Sequence, residues 1–224
     1  MKRLPFFILT LSLFLAACED PAADKPRAEI SEPASNVELE RNSANANTEE
    51  SKEEVQGEEI PISAENSKIE FTGSKVTGKH DGGFKEFSGM IDLVDEDPTK
   101  SKVTVDIKMS SVFTDADGLT EHLKTGDFFE TEKYPRSTFV STGIEPDKSG
   151  GENTYVISGE FELHGIKKAI SFPATINVNG EKVEVKSEFS VNRKDFQINY
   201  AGKADDLIRD GVVIKLDLNA PRKK

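Results

Sequence analysis

The stretch that decides the fold is residues 170–191, which read ISFPATINVNGEKVEVKSEFSV. Apolar residues recur at every second position before Asn179-Gly180, and the same period, interrupted at Ser187, follows it. A period of two is typical of a strand with one buried face, and Asn-Gly between two such runs predicts a hairpin with a type I′ turn. Pro173 inside the first run indicates an edge, a bulge or a bend at that point.

Six further segments carry similar alternation or short apolar runs. They lie around residues 69–71, 84–93, 103–109, 137–144, 155–163 and 212–218. Together with the hairpin they predict an all-β fold, an eight-stranded antiparallel barrel or sandwich. One stretch departs from this period, because Leu119 and Leu123 share a helical face and predict a short helix over 116–124.

The alternation does not show whether the interior of the fold is filled by side chains or encloses a cavity. The chain has 14 Phe, three Tyr and no Trp, which predicts a strongly apolar interior. Small barrels are usually filled by their own side chains, but eight strands can also enclose one small ligand. Composition alone therefore keeps a filled core and a ligand cavity as equal alternatives.

The N-terminus has the pattern of an export signal. Lys2 and Arg3 precede an apolar run, residues 6–17, that is too short to span a bilayer, and Ala16-Ala17-Cys18 closes it. This resembles the lipobox of bacterial lipoproteins, in which the cysteine is acylated with chains such as palmitate. The resemblance implies a signal peptide at 1–17, lipidation of Cys18, and a protein of the bacterial cell envelope, membrane-anchored with its domain in the periplasm or outside the cell.

The segment after Cys18 is polar and acidic. Between Glu19 and Ile60 there are 13 acidic and 4 basic residues, a balance of −9 within the total of −12. Such a segment buries too little apolar surface to order itself, which predicts a disordered linker over 18–66. A flexible chain of that length would hold the domain on the order of 35–40 Å from the lipid.

Several classes of function find no support in the sequence. No Lys/Arg cluster offers a face for nucleic acid, and a single cysteine cannot form an intrachain disulfide. No Gly-x-Ser-x-Gly elbow or P-loop occurs, so we expect a protein that is not an enzyme. His80, His122 and His164 lack metal-binding spacing, and we expect neither a metal nor a cofactor.

Four motifs in a fixed order carry a family resemblance. They are residues 73–82 (GSKVTGKHDG), 118–139 (GLTEHLKTGDFFETEKYPRSTF), 158–168 (SGEFELHGIKK) and 189–196 (FSVNRKDF). This ordered set resembles the YceI-like family, over essentially the whole folded unit at 67–221. The resemblance implies a lipocalin-like, eight-stranded antiparallel β-barrel with an apolar tunnel that binds a polyisoprenoid chain. The first motif is richer in glycine than is common in the family, so the loop and the ligand can differ here.

Eight residues are candidates for ligand contact. They are Phe128, Phe129, Phe139, Phe161, Phe172, Phe189, His122 and Arg193. Each phenylalanine either lines the tunnel or is ordinary core. His122 either ties the helix to the sheet or contacts a ligand head group, and Arg193 meets either Asp195 or a ligand phosphate.

The sequence therefore predicts a membrane-anchored lipoprotein that binds a polyisoprenoid or another long apolar lipid, for storage or transport. The expected partners are that lipid and the membrane, through acylated Cys18; a homodimer is compatible with the chain, and nucleic acid is not expected. The alternative is a non-catalytic structural or protein-interaction domain with a filled core.

Overall fold

The computed structural model describes residues 19–33 and 57–222. The predicted signal peptide, Cys18 and the middle of the predicted linker lie outside these ranges. The predictions made for them stay predictions.

Within the described ranges the chain is mostly strand, with one α-helix. Helix α1 spans Asp117–Leu123, inside the predicted 116–124. The strands are β1 Glu29–Ser31, β2 Glu58–Ser63, β3 Lys68–Lys75, β4 Gly78–Phe84, β5 Phe87–Leu93, β6 Lys102–Lys108, β7 Val112–Thr114, β8 Arg136–Pro146, β9 Thr154–Leu163, β10 Ile166–Val178, β11 Lys182–Asn192, β12 Gly202–Lys203, β13 Asp206–Leu207 and β14 Gly211–Pro221.

Twelve of these strands form one antiparallel sheet in the described part of the chain. Its order is β2-β5-β6-β8-β9-β10-β11-β14-β3-β4-β7, with β1 added to β10, while β12 and β13 pair separately. The sheet curls into a half-barrel with its apolar face inside, which confirms the all-β, lipocalin-like fold. All eight predicted strands are present; β1, β2, β4 and β7 are additional within this sheet, and β12 and β13 are additional outside it.

The predicted hairpin forms, but its turn is not type I′. Val178 pairs with Val183, and the Asn179 side chain accepts from the backbone N–H of Glu181 and Lys182. Positive φ at two successive turn residues occurs instead at His164 (54°) and Gly165 (71°), between β9 and β10, and at Asp95 (52°) and Glu96 (58°), after β5. A Cβ at Gly165 would lie 2.4 Å from the Tyr134 ring, so glycine is required there both for its φ and for space.

The ladder between β10 and β11 opens at Pro173. The two strands pair only over Thr175–Val178, and proline has no N–H with which to continue the ladder. The Pro173 carbonyl accepts from Ser187 Oγ across the gap instead. We call this gap between β10 and β11 the seam. It agrees with the irregularity that the sequence predicts at Pro173.

The N-terminal segment fills that seam. The Ala28 N–H donates to the Ser190 carbonyl of β11 (2.9 Å), and β1 then pairs with β10, with Glu29 opposite Ser171. The structure thus differs from the predicted linker in two places, 19–33 and 57–66, which are folded onto the domain. The composition of residues 19–33 does not predict a strand, because the strand is polar and short. Its backbone hydrogen-bond partners are supplied by β10 and β11 at the seam.

The buried apolar residues form two groups. The body cluster lies inside the half-barrel: Ala28, Ile60, Ile62, Ile69, Phe87, Ile91, Leu93, Ile107, Met109, Ile144, Ile157, Ile170, Phe172, Ala174, Ile176, Val183, Val185, Phe189, Val191, Leu218 and Ala220. The end cluster closes the α1 end: Val112, Leu123, Phe128, Phe196 and Ile198. In the described residues, no helix is long and apolar enough to cross a membrane.

Candidate functional site: an apolar cavity inside the half-barrel

A cavity of about 390 Å³ lies inside the half-barrel. It extends from Leu93, Pro98 and Ser101 at one end to Ser74, Lys75 and Arg209 at the α1 end. Its wall is mainly aliphatic and aromatic, with contributions from strands on both sides of the seam. A volume in this range is typical of ligand sites. Of the two alternatives left open by composition, the structure therefore favours the cavity.

Strand alternation places four of the candidate phenylalanines on the wall. Phe139 on β8, Phe161 on β9, Phe172 on β10 and Phe189 on β11 all line the cavity. The rings of Phe172 and Phe189 stack across the seam, with centroids 4.3 Å apart and planes 9° from parallel. The contact holds β10 and β11 together where their ladder is interrupted.

Gly159 on β9 makes room for one of these rings. A Cβ at Gly159 would lie 2.5 Å from Cζ of Phe139. Without that side chain, the Phe139 ring rests directly on β9 and reaches Phe172, 5.7 Å away between centroids. The glycine therefore sets how far the Phe139 ring extends into the cavity.

Helix α1 and the loop after it supply the wall at the α1 end. Phe129 donates its backbone N–H to the Leu123 carbonyl (3.0 Å), which folds the loop back under the helix. Phe128 and Phe129 both line the cavity, and Phe128 also belongs to the end cluster. Phe128 is therefore buried and Phe129 partly buried.

His122 does not line the cavity. Its Nε2 lies 2.8 Å from Asp127 Oδ2, and its ring packs edge-on against Phe128 and Tyr200. These contacts tie α1 to its neighbouring loops. Of the two alternatives for His122, the structure supports the structural one.

Arg193 lines the cavity but is held by the protein's own backbone. Its guanidinium donates to the carbonyls of Ile198 (2.6 Å), Arg209 (3.1 Å) and Ile208 (3.4 Å). Its carboxylate partner is Asp210 (3.1 Å), not the Asp195 expected from sequence proximity. Burial lowers the pKa of Arg193, and Asp210 opposes that shift. Arg193 therefore connects the turn at 193–198 to residues 208–210, which join β13 to β14.

The three histidines have separate partners. His80 Nδ1 lies 2.8 Å from Asp115 Oδ1, and His164 Nδ1 lies 3.1 Å from the Phe196 carbonyl. Across 19–33 and 57–222, no three His, Cys, Asp or Glu side chains gather to hold a metal ion.

Sequence reasoning missed two parts of the site. The first is the aliphatic wall, which alternation had marked as buried without marking it as a cavity: Ile69, Val103, Val105, Ile107, Ile157, Ile170, Val212, Ile214 and Leu216. The second is the polar end, where Ser74, Lys75 and Arg209 meet. Ser74 Oγ is buried there without a hydrogen-bond partner among the described residues. No local pattern could reveal that end, because its residues come from distant strands.

An antiparallel half-barrel around an apolar cavity defines a protein of the lipocalin-like class. The chain belongs to the YceI-like domain family, whose model matches residues 61–220. It is 34% identical over 127 residues to a UPF0312 protein of Pseudomonas putida (strain W619), covering 54% of this chain and 65% of that one. The alignment thus spans just under two thirds of that relative.

Two solved structures share the fold. BcnA of Burkholderia cenocepacia is 23% identical, with a TM-score of 0.62, over 71% of this chain and 99% of that one. A polyisoprenoid binding domain from Saccharophagus degradans, described as implicated in plant cell wall breakdown, is 18% identical, with a TM-score of 0.58, over 73% and 99%. At these identities the likeness establishes the fold alone.

Proposed function

We propose that this chain is a membrane-anchored lipoprotein that binds a polyisoprenoid, or another long apolar lipid, in its cavity and stores or carries it. The observation that carries the proposal is the cavity itself, of about 390 Å³, with a wall of Phe, Ile, Val and Leu side chains. Membership of the YceI-like family and the polyisoprenoid-binding structural neighbour support the same ligand class.

The energetics favour a long chain over a particular head group. Each methylene-sized group removed from water contributes about 0.8 kcal/mol gross, so one isoprene unit contributes a few kcal/mol. The entropy lost on binding reduces this substantially. The polar end at Ser74 and Lys75 is the place where a head group would lie. The mechanism is reversible enclosure, without a chemical step.

The protein is placed in the cell envelope by the predicted lipidation of Cys18, with its domain on the periplasmic or outer side. The pairing of β1 with β10 supports a close attachment, because residues 19–33, which follow Cys18, are folded onto the domain instead of forming a long tether. The lipid ligand and the membrane that holds it would then be neighbours.

The test is extraction of lipid from the purified full chain, followed by mass spectrometry. We expect a long-chain lipid in near-stoichiometric amount from the unmodified protein. Phe139→Trp, which enlarges a ring on the cavity wall, should lower the load, whereas Val140→Glu on the exposed side of the same strand should not. No extractable lipid from any variant would favour a structural or protein-interaction domain.

A further inference from the structure

Two large apolar side chains stand exposed next to each other at the α1 end. Val76, in the turn between β3 and β4, is 54% exposed, and Leu207, on β13, is 50% exposed. The Val76 N–H donates to the Leu207 carbonyl at 3.1 Å. We call these two loops, residues 75–78 and 202–207, the hairpin tips.

Asp206 holds the hairpin tips in a fixed arrangement. Its Oδ1 accepts from the Thr77 N–H (3.2 Å) and the Thr77 hydroxyl (2.9 Å), and its other oxygen pairs with Lys75. The apolar side chains therefore stay side by side in water, where their exposure has no stabilising effect on the isolated domain.

The cavity reaches the base of the hairpin tips. Ser74 and Lys75 precede Val76, Ile208 and Arg209 follow Leu207, and all four line the cavity. The apolar pair thus stands immediately outside the polar end of the cavity.

The N-terminal segment leads to the same place. Asp20 Oδ2 lies 3.4 Å from Arg209 Nη1, and Ala22 packs against Gly211. Cys18 is two residues before Asp20, a distance of at most about 7 Å along the chain. An acyl chain on Cys18 would therefore enter the bilayer beside the hairpin tips.

From these observations we propose that the hairpin tips are a membrane-docking surface, with Val76 and Leu207 inserted among the lipids and the cavity opening toward the bilayer beside them. The inference rests on the proposed anchoring at Cys18. It adds an orientation that anchoring alone does not require, since an anchored domain with a loose tether would take any orientation.

The chemistry of the surface points to a lipid bilayer through apolar contact and not through attraction to anionic lipid. Lys75 is paired with Asp206, and exposed Lys203 has exposed Asp205 two residues away, so the charges of the tips largely offset. We therefore expect insertion into neutral and anionic vesicles alike, with little dependence on salt.

The orientation can be measured on the full acylated chain. Cys18 is the only cysteine, so after acylation Val76→Cys, Leu207→Cys or Val140→Cys each supplies a single thiol for an environment-sensitive fluorophore. Val140, on β8, is the matched control at 47% exposure. Each labelled protein is reconstituted into phosphatidylcholine vesicles, with or without phosphatidylglycerol, that contain doxyl-labelled lipid.

We expect blue-shifted, strongly quenched emission at positions 76 and 207 and unquenched emission at 140. Two results would overturn the docking surface while leaving the anchoring intact, provided that the protein floats with the vesicles. In the first, positions 76 and 207 stay unquenched; in the second, all three positions are quenched alike. If intact mass shows no acyl chain and the protein does not float, both the anchoring and the docking surface are overturned. Lipid extraction tests ligand binding independently of either result.

Discussion

The body cluster and the end cluster place the same apolar residue types at different parts of one cavity. In the body cluster, Phe172 on β10 and Phe189 on β11 stack on each other and line the cavity. In the end cluster, Phe196 is fully buried, with the Phe161 ring 5.2 Å away, and Arg193 holds the surrounding backbone. The end cluster closes the α1 end of the cavity, which Leu123, Phe128, Phe196 and Ile198 border, whereas the body cluster supplies most of the side wall. Stability should depend most on the end cluster, and ligand capacity most on the side wall.

The largest expected effect is on the end cluster's polar support. Arg193→Met removes the donors to three carbonyls, and we expect a loss of about 3–5 kcal/mol in the free energy of unfolding, measured by urea denaturation. Lys194→Met is the matched control, because Lys194 pairs with the same Asp210 at the surface and should cost about 0–1 kcal/mol. Equal costs for the two variants would show that Arg193 is not the support of this region.

A pair of phenylalanine truncations sharpens the comparison directly. Phe196→Ala should cost about 3–5 kcal/mol, because it removes a fully buried ring that packs against Phe161. Phe139→Ala should cost less, because its ring is only partly buried, but it widens the cavity at its side wall and should change the amount or chain length of the extracted lipid. Unfolding and lipid content are measured on both variants. Equal costs for the two truncations would show that the end cluster does not stabilise the fold more than the side wall does.

The smallest expected effect concerns acid stability at the hairpin tips. Bonds from Lys75 and Thr77 lower the pKa of Asp206 below its usual 3.8. A carboxyl with a lowered pKa stabilises the fold above its unfolded-state pKa and loses that contribution as pH falls through the folded value. Asp206→Asn should therefore flatten the dependence of the free energy of unfolding on pH below about 4. If Asp206→Asn left that dependence unchanged, the bonds from Lys75 and Thr77 would not be a source of pH-dependent stability.

The sequence predicted the strands and the helix whose formation depends on a local residue pattern. Alternation identified eight strands because each must turn one face inward, and the paired leucines of α1 identified the helix. Strand β4, GKHDGGF, has too little alternation to be found this way. Strands β1 and β2 were predicted to belong to a linker, because they become ordered only by pairing with strands elsewhere in the chain, β10 and β5.

The site was predictable in its residue types but not in its geometry. Seven of the eight candidates line the cavity, because inward positions on neighbouring strands converge wherever the sheet curls. His122 was the exception, since its contacts with Asp127 and Tyr200 can be identified only once the position of α1 in the fold is known. The carboxylate partner of Arg193 was misassigned because Asp195 is near in the sequence, whereas the actual partner, Asp210, is 17 residues away. The size of the cavity depends on how tightly the sheet curls, which alternation does not encode.

Strand β1 has a consequence for the order in which the molecule assembles. Glu29 pairs with Ser171, 142 residues later, so one of the first strands to be synthesised must wait for one of the last before it can dock. Contacts of such long sequence separation form late, because the entropy of closing the loop is lost before the contact is gained. The seam beside Pro173 is therefore among the last parts of the half-barrel to close, and until then the newly made cavity is open along its side.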